Sequence, residues 1–573
     1  MHFLRLPVRA KICLVVSLLA LFAVFVLRSD SFPTQNVSRN HFKNSSPDPL
    51  AGGDDGLRTP LDFEAALASR PDANAKVFVS RCRFAPFSNS TSLYTPFAGT
   101  QTSDAVVGDT QFFFADGTHC YNPQNESNIV VNPTNPSNVV TSANEYRFDG
   151  DSAYVSMDGG QTFTDVVLPA RTGATGGQGI FARLGSCGDP VLAFAPDGTL
   201  YYVGLGCNFR AHSQASAVSV SVSHDGGMTW SDPHLVHFTD PNQFFNDKDW
   251  ISVGPDGTAY VTWTRFQSHP GGLFGFGSSP IVISASHDGG NSWSDFTIVS
   301  DASHPFNQGS QPRVAPDGTL YVAYEGSTPS TGFFGDAIVV ARSSDGGKTF
   351  TNTEVARAYD DFNCYPINVA QGRQTLSGEQ FRINSFPSFA IDPTSGQLAI
   401  TWADDQANPA CGFEKGTPFT GPTSNQVKLV TSSDGTNWSS PQVVTTGAED
   451  KVYSAVGFNA GRLIVSYYTR AYSPDTDDCH AQVLDTKTGK LSFLPGPVCL
   501  DYAARSSSDG FANETRFTAQ SSNPYILFAG AFIGDYTGAA VDANTKGYAA
   551  WSDFRGNPGI TTSNQDMDVY RSY

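Results

Sequence analysis

Charge is scarce in this chain. Asp, Glu, Lys and Arg together make up 16% of its 573 residues, and Lys plus Arg number only 35 against 54 acidic residues. No basic stripe offsets the formal net charge of −19, so a phosphate backbone would be repelled and nucleic-acid binding is not expected. The motifs that announce other chemistries are missing too. There is no H-E-x-x-H, no paired C-x-x-C, no G-x-S-x-G and no G-x-x-x-x-G-K-S/T, so zinc and nucleotide cofactors are not expected. No loop has an EF-hand-like spacing, which leaves structural calcium at an acidic rim as the one metal still open.

Long hydrophobic runs are missing as well, with a single exception at the start. Arg5, Arg9 and Lys11 precede an apolar run from Ile12 to Leu27, closed by Arg28 and Asp30. That pattern is an export signal, and positive-inside orientation puts the rest of the chain outside the cytoplasm. A helix of that length spans about 24 Å, short of a roughly 30 Å hydrocarbon core. No clear small-x-small cleavage site follows. The segment, residues 1–28, is therefore read as a signal-anchor ahead of a cleaved peptide, and membrane contact is expected through it alone. Residues 29–75 are rich in Ser, Asn, Pro, Gly and Asp and read as a linker or stalk.

What the chain has in abundance is Gly (54), Pro (35) and aromatics (12%), the composition of many short strands joined by tight turns. Of the nine cysteines, Cys13 sits in the hydrophobic run, leaving an even number for an oxidising compartment. Cys187 and Cys207 are symmetric about the turn at Asp197, and Cys479 and Cys499 about Gly489. Both are expected to be disulfides across hairpins. Cys82 with Cys120 and Cys364 with Cys411 are paired only by proximity in sequence. Sequons at Asn36, Asn44, Asn89, Asn125, Asn437 and Asn513 would accept glycans in a eukaryotic secretory pathway.

From residue 76 onward two repeats interleave. One is an octet, Ser156-Met157-Asp158-Gly159-Gly160-Gln161-Thr162-Phe163, recurring at Ser223–Trp230, Ser286–Trp293 and Ser343–Phe350, with a shorter copy at Ser432–Trp438. Its Asp can accept bonds from nearby backbone N–H groups, its glycines permit positive φ, and its aromatic buries against a sheet. The other is a hairpin, found seven times: Asn128–Ser142, Asp189–Leu205, Asp249–Trp263, Gln311–Tyr324, Phe386–Trp402, Val452–Tyr468 and Tyr536–Trp551. A hairpin followed by an octet hairpin is a four-stranded blade. Residues 76–573 are thus expected to form one all-β propeller, seven blades preferred and six the alternative. A strand at Lys76–Ser80 and another at Asp566–Tyr570 would close the ring from both ends and remove its free edges.

The octets resemble the bacterial neuraminidase (Asp-box) repeat, Ser-x-Asp-x-Gly-x-Thr-Trp, over roughly residues 76 to 573. Phrases such as Asn246-Asp247-Lys248-Asp249-Trp250 and Phe532-Ile533-Gly534-Asp535-Tyr536 are similar to exported bacterial proteins of the sialidase-like group. That resemblance implies a glycoside hydrolase using arginines for a substrate carboxylate, a Tyr nucleophile assisted by Glu, and an Asp acid/base. The family's Phe/Tyr-Arg-Ile-Pro motif is approached by Phe381-Arg382-Ile383-Asn384, with Asn in place of Pro.

Propeller geometry puts the octets on one face and the strand-one starts with the strand-two ends on the other. The second face collects Arg147, Arg265, Arg313, Arg382, Arg470 and Arg555 as candidate carboxylate-binding groups, with Asp249 beside them. Asp247 or Asp404 is the candidate acid/base, Glu325 a further carboxyl, and Tyr536 the nucleophile by analogy. The leading expectation is a sialidase-like hydrolase of extracellular glycans or glycoproteins. The rival is a non-catalytic propeller binding glycan or protein through the same face, whose rim charges would already be neutralised in pairs.

Overall fold

The computed structural model describes residues 101–106, 123–207, 215–239, 244–273, 276–329, 336–360, 364–367, 373–405, 421–480, 482–485, 490–493, 496–524, 532–555 and 565–571. Seven antiparallel sheets follow one another along them, each with a four-stranded path, and the third carries a further short strand, Phe276–Ser278. Blade 1 runs through Gln124–Val131, Val139–Glu145, Ser152–Ser156 and Thr164–Val167, and blade 2 through Gly185–Phe194, Leu200–Cys207, Ser216–Ser223 and His234–Thr239. Blade 3 uses Phe244–Val253, Ala259–Leu273, Ile281–Ser286 and Thr297–Ile298, and blade 4 Asn307–Val314, Leu320–Ser327, Asp336–Ser343 and Thr351–Ala358. Blade 5 is Ser388–Ile391, Leu398–Asp405, Asn425–Ser432 and Gln442–Val443; blade 6 is Lys451–Asn459, Arg462–Thr469, Asp501–Ser506 and Thr515–Arg516. The architecture is the seven-bladed propeller that the hairpin count anticipated, and six blades are ruled out.

Blade 7 closes the ring. Gly538–Val541, Gly547–Asp553 and Asp566–Arg571 come from the C-terminal part, and the outermost strand is Thr102–Asp104, with Thr102 opposite Tyr570 and Asp104 opposite Asp568. The N-terminal contribution is therefore Thr102–Asp104. The strand expected at 76–80 lies outside the described residues, as do the hydrophobic run and the stalk. No helix among the described residues is long and apolar enough to cross a membrane. The segment Gln482–Ser492, within the connection between the second and third strands of blade 6, belongs to a separate compact unit.

Large apolar side chains fill the spaces between blades. Trp263, Trp402 and Trp551, on the second strands of blades 3, 5 and 7, are fully buried. One core cluster joins Val191, Val203 and Val220 of blade 2 to Trp250, Ile251 and Trp263 of blade 3, as expected of sheets that each hide both faces. The octets close the third-to-fourth strand turns. In the first, Ser156 Oγ accepts from Gly160 N at 2.8 Å, while Asp158 takes Thr162 N at 2.9 Å and the Thr162 hydroxyl at 2.7 Å. Gly159 and Gly160 stand at φ 76° and 85°, which only glycine adopts freely. In the third octet the Ser292 hydroxyl and N–H hold the exposed Asp288 carboxyl down at about 2.

Both symmetric cysteine pairs are disulfides, Cys187–Cys207 and Cys479–Cys499, with Cα atoms 5.8 and 5.0 Å apart. Cys364 is also disulfide-bonded. Cys411, Cys82 and Cys120 lie outside the described residues.

Candidate functional site

The site-bearing face is built by a repeated irregularity. The first strands of blades 1, 2, 3, 4 and 6 all lose register with the second strand near their start, between Asn125 and Asn128, Ser186 and Val191, Asp247 and Trp250, Gln308 and Gln311, and Val452 and Ala455. Each bulge holds a residue at positive φ: Glu126 (59°), Asp189 (55°), Lys248 (50°), Gly309 (69°) and Tyr453 (52°). Such a backbone is unfavourable for a side-chain-bearing residue, and a bulge re-aims the side chain it carries. Here it brings charges from separate blades together.

Lys248 is the hub. Its Nζ reaches Glu126 Oε1 of blade 1 at 3.0 Å, Asp189 Oδ1 of blade 2 at 3.3 Å and Asp535 Oδ2, next to blade 7, at 2.6 Å. Arg382, from the segment leading into blade 5, clasps Asp535 through Nε–Oδ1 at 2.7 Å and Nη2–Oδ2 at 2.5 Å. The Tyr453 hydroxyl of blade 6 donates to the Arg382 carbonyl. All six side chains are at most 5% exposed. Three carboxylates and two cations thus tie six blades around the axis in a buried network, and losing one member would strand a charge.

Beneath the hub lies a series of cation–aromatic contacts. The Lys248 Nζ stands 5.4 Å from the Tyr536 ring centre, Tyr536 meets the Trp250 ring edge-on at 5.4 Å, and the Arg313 guanidinium lies 5.9 Å from Trp250. These contacts are within or near cation–π range. Asp535, Tyr536, Tyr453, Ser454 and Gln311 border a cavity of about 20 Å³, room for a single water. A sugar ring does not fit there.

The six rim arginines divide into two groups. Arg147 bonds Glu145 and Asp165, both at 2.5 Å, and Arg555 bonds Asp553 at 2.6 Å and Asp568 at 2.7 Å, each clasp joining strands of a single blade. Arg470 holds Asp450 at 2.8 Å, and Arg382 holds Asp535. Arg265 and Arg313 have no carboxylate partner among the described residues. Arg265 lies on Phe244, 3.4 Å from the ring centre, and 5.0 Å from Phe296. Arg313 donates to the Pro312 carbonyl and approaches Gln311 Oε1; burial without a counter-ion pulls it down to about 10.

The candidate carboxyls also separate. Asp404 is fully buried and saturated, accepting from Lys428 Nζ at 2.7 and 3.0 Å, Trp402 Nε1 at 3.0 Å and Tyr359 N at 3.0 Å. Asp249 is 1% exposed with neither oxygen hydrogen-bonded; burial, reinforced by the nearby Asp189, drives its carboxyl well above the usual range. Asp247 of blade 3 and Glu325 of blade 4 are each related to Gln308, on the first strand of blade 4. Gln308 Nε2 donates to Asp247 Oδ2 at 3.1 Å, and Gln308 is the register partner of Glu325 on the adjacent strand.

Glu126, Tyr453, Asp450 and Glu379 were not picked out from the sequence. The signal for the first two was present, because hydrophobic alternation breaks just before each hairpin, where the bulges fall. Nothing local marks the other two. Among the described residues no group of three or more His, Cys, Asp or Glu side chains converges as a metal site.

The fold defines the class: a seven-bladed β-propeller turning on Ser-x-Asp octets, with an ion network across its axis. No family model matches the chain. Among curated proteins, a xyloglucanase of Hypocrea jecorina (strain QM6a) is 25% identical over 240 residues, 39% of this chain and 27% of that protein. The chain therefore spans little more than a quarter of this relative's length. Among solved structures, Penicillium chrysogenum alpha-L-arabinanase complexed with arabinobiose is 14% identical with a TM-score of 0.39, covering 60% of this chain and 88% of that one. Trypanosoma rangeli sialidase is 14% identical with a TM-score of 0.36, covering 64% and 55%. At these values neither likeness says anything about the site.

Proposed function

We propose that this protein is a glycoside hydrolase of extracellular glycans whose chemistry lies at the junction of blades 3 and 4. The observation that carries it is Gln308, whose amide donates to Asp247 and whose register partner is Glu325. Hydrolysis of a glycosidic bond needs two carboxyl groups, one giving a proton to the leaving oxygen and the other serving as base or nucleophile. Asp247 is assigned the acid/base role and Glu325 the second carboxyl. Arg265, unpaired and stacked on Phe244 in the same blade, offers a flat cationic surface for a sugar hydroxyl face.

The reading favours neutral glycans over sialosides. A carboxylate clamp requires several free guanidinium groups, whereas Arg147, Arg382, Arg470 and Arg555 are already neutralised. The partial match to a xyloglucanase suggests including xyloglucan in the substrate set. The same four neutralised arginines favour the second reading, a propeller that binds glycan without cleaving it.

The test is turnover of neutral polysaccharides and fluorogenic glycosides, sialosides included, by the full chain and by Asp247→Asn and Glu325→Gln. A loss of at least about 100-fold in each variant, with an unchanged melting temperature, is expected. Wild-type turnover that survives both substitutions would remove the junction as the site. Glycan binding without any turnover would establish the binding reading.

A further inference from the structure

We propose that the octet face carries a second, non-catalytic binding site for a neutral sugar residue, in the groove between the second and third octets. The groove has a volume of about 390 Å³ and is bordered by Val222, His224, Trp230 and His234 of blade 2 and by Gly289 and Asn291 of the third octet. Small-molecule sites run from about 300 to 1,000 Å³. The axial cavity, at about 20 Å³, falls far below that range. The octets close third-to-fourth strand turns, whereas Asp247 stands near the start of a first strand and Glu325 near the end of a second. The groove therefore lies at the end of the blades away from both carboxyls.

Trp230 supplies a fixed aromatic surface. Its indole N–H donates to the Gly227 carbonyl at 2.9 Å and its ring meets Tyr202 edge-on at 5.9 Å, which holds the ring in place, yet the residue remains partly exposed. The corresponding residue of the first octet, Phe163, is 2% exposed and belongs to the core. The other wall is equally fixed. A Cβ on Gly290 would fall 2.9 Å from Val222 and 3.1 Å from Tyr201, so the third octet is seated directly on blade 2 and the groove is preformed. A rigid ring bordering such a groove is a platform on which the C–H face of a sugar ring can stack at small entropic cost.

The polar groups of the lining suit hydroxyls and not charges. His224 Nδ1 lies 3.4 Å from the Thr199 hydroxyl, which leaves Nε2 for a ligand. The His234 ring has no hydrogen-bond partner among the described residues. Asn291 Nδ2 donates to the Asp288 carbonyl at 2.5 Å, which leaves Oδ1 as an acceptor. The acid of the lining, Asp225, is occupied by its own turn, taking the Thr229 N–H at 2.8 Å, the Thr229 hydroxyl at 2.6 Å and the Ser223 hydroxyl at 2.9 Å. Imidazole nitrogens and an amide oxygen exchange hydrogen bonds with hydroxyl groups. No lysine or arginine is among the described lining residues to hold a carboxylate, sulfate or phosphate. Val222 is the one aliphatic side chain among them, so an apolar ligand would find little surface beyond the indole. One aromatic platform with a few polar groups fits a neutral sugar ring.

The site stands whether or not the junction of blades 3 and 4 is catalytic, and the test separates the two. The full chain and its Asp247→Asn/Glu325→Gln double variant are titrated calorimetrically with cello-, xylo-, arabino- and mannopentaose. At least one pentaose should bind, equally well to both proteins, and its affinity should fall at least about 10-fold in Trp230→Ala and in the milder His234→Ala. The His234 ring has no partner in the fold, so His234→Ala should melt with the parent and its weaker binding would not reflect unfolding. Crystals soaked in the same pentaose should show a sugar ring stacked on Trp230. Binding by none of the four, affinity intact in both groove variants, or sugar density confined to the junction overturns the proposal. Turnover absent while the groove still binds overturns only the hydrolase reading and supports the groove.

Discussion

Arg382 grips Asp535 with two nearly parallel bonds, Nε–Oδ1 at 2.7 Å and Nη2–Oδ2 at 2.5 Å, while Asp535 Oδ2 also receives the ammonium of Lys248 at 2.6 Å. The arginine that most resembles a substrate-binding residue by sequence is therefore engaged in holding blade 7 to the segment before blade 5. Removing it leaves Asp535 buried with half its partners. Arg382→Ala is expected to lose about 3–5 kcal/mol of stability in denaturant unfolding, and Asp535→Asn to cost nearly as much. A loss below about 1 kcal/mol in Arg382→Ala would show that the pair is not the tie described.

The two hairpin disulfides give a second expectation. Cys187–Cys207 and Cys479–Cys499 each enclose a loop with a sequence separation of 20, for which chain entropy predicts about 3 kcal/mol. Replacing either pair by Ser should lower stability by that order, the two effects adding because the bridges belong to different blades. A loss confined to one pair would mean that the other constrains a segment already ordered without it.

Burial sorts the sequons. Asn125 of Asn-Glu-Ser is fully buried and donates to Gln565 Oε1 at 2.9 Å, whereas Asn437 and Asn513 are exposed at turns. Secreted from a eukaryotic host, the chain should carry glycans at Asn437 and Asn513 and none at Asn125, as read by peptide mass mapping. Glycan at Asn125 in folded protein would contradict the packing of blade 1.

The parts of this fold legible in the sequence are those set by local turn chemistry. The octets and the seven hairpins repeat because each must solve the same turn, and each announces one blade; the cysteine symmetry follows from the same hairpins. The site was less legible, because its groups meet through the ring. Lys248 is 122 residues from Glu126, and only the bulges, which place both side chains on the axis, connect them. The division of the rim arginines was equally hidden. Glu145-Tyr146-Arg147 and Asp553-Phe554-Arg555 share an acid-x-Arg spacing that closes a local clasp, a pattern visible in the sequence once the geometry is known. Arg382 and Arg470 find their acids only after folding. The closing strand Thr102–Asp104 was not anticipated, because three residues pairing at a sheet edge leave almost no compositional trace; the strand expected at 76–80 lies outside the described residues.

The last prediction concerns Glu379, which sits just before Arg382 and is 2% exposed with neither carboxyl oxygen hydrogen-bonded. Burial pushes its carboxyl up to about 8; the Arg470 guanidinium draws it partly back and Asp450 opposes that pull. In the unfolded chain the same group ionises near its ordinary value of 4.5. Between these two values the folded state holds a proton that the unfolded state has released, so stability falls as pH rises, by up to about 1.4 kcal/mol per unit. Below the lower value both states are protonated and the group has no such effect; above the upper one the full loss has accrued. Glu379→Gln copies the neutral acid in shape and cannot ionise. It should match wild type at pH 4.5 and exceed it in melting temperature at pH 8, with the gap widening steadily between. Equal melting temperatures across that range would mean that Glu379 is ionised in the folded protein, balanced by Arg470, and that its buried site is not the apolar one described.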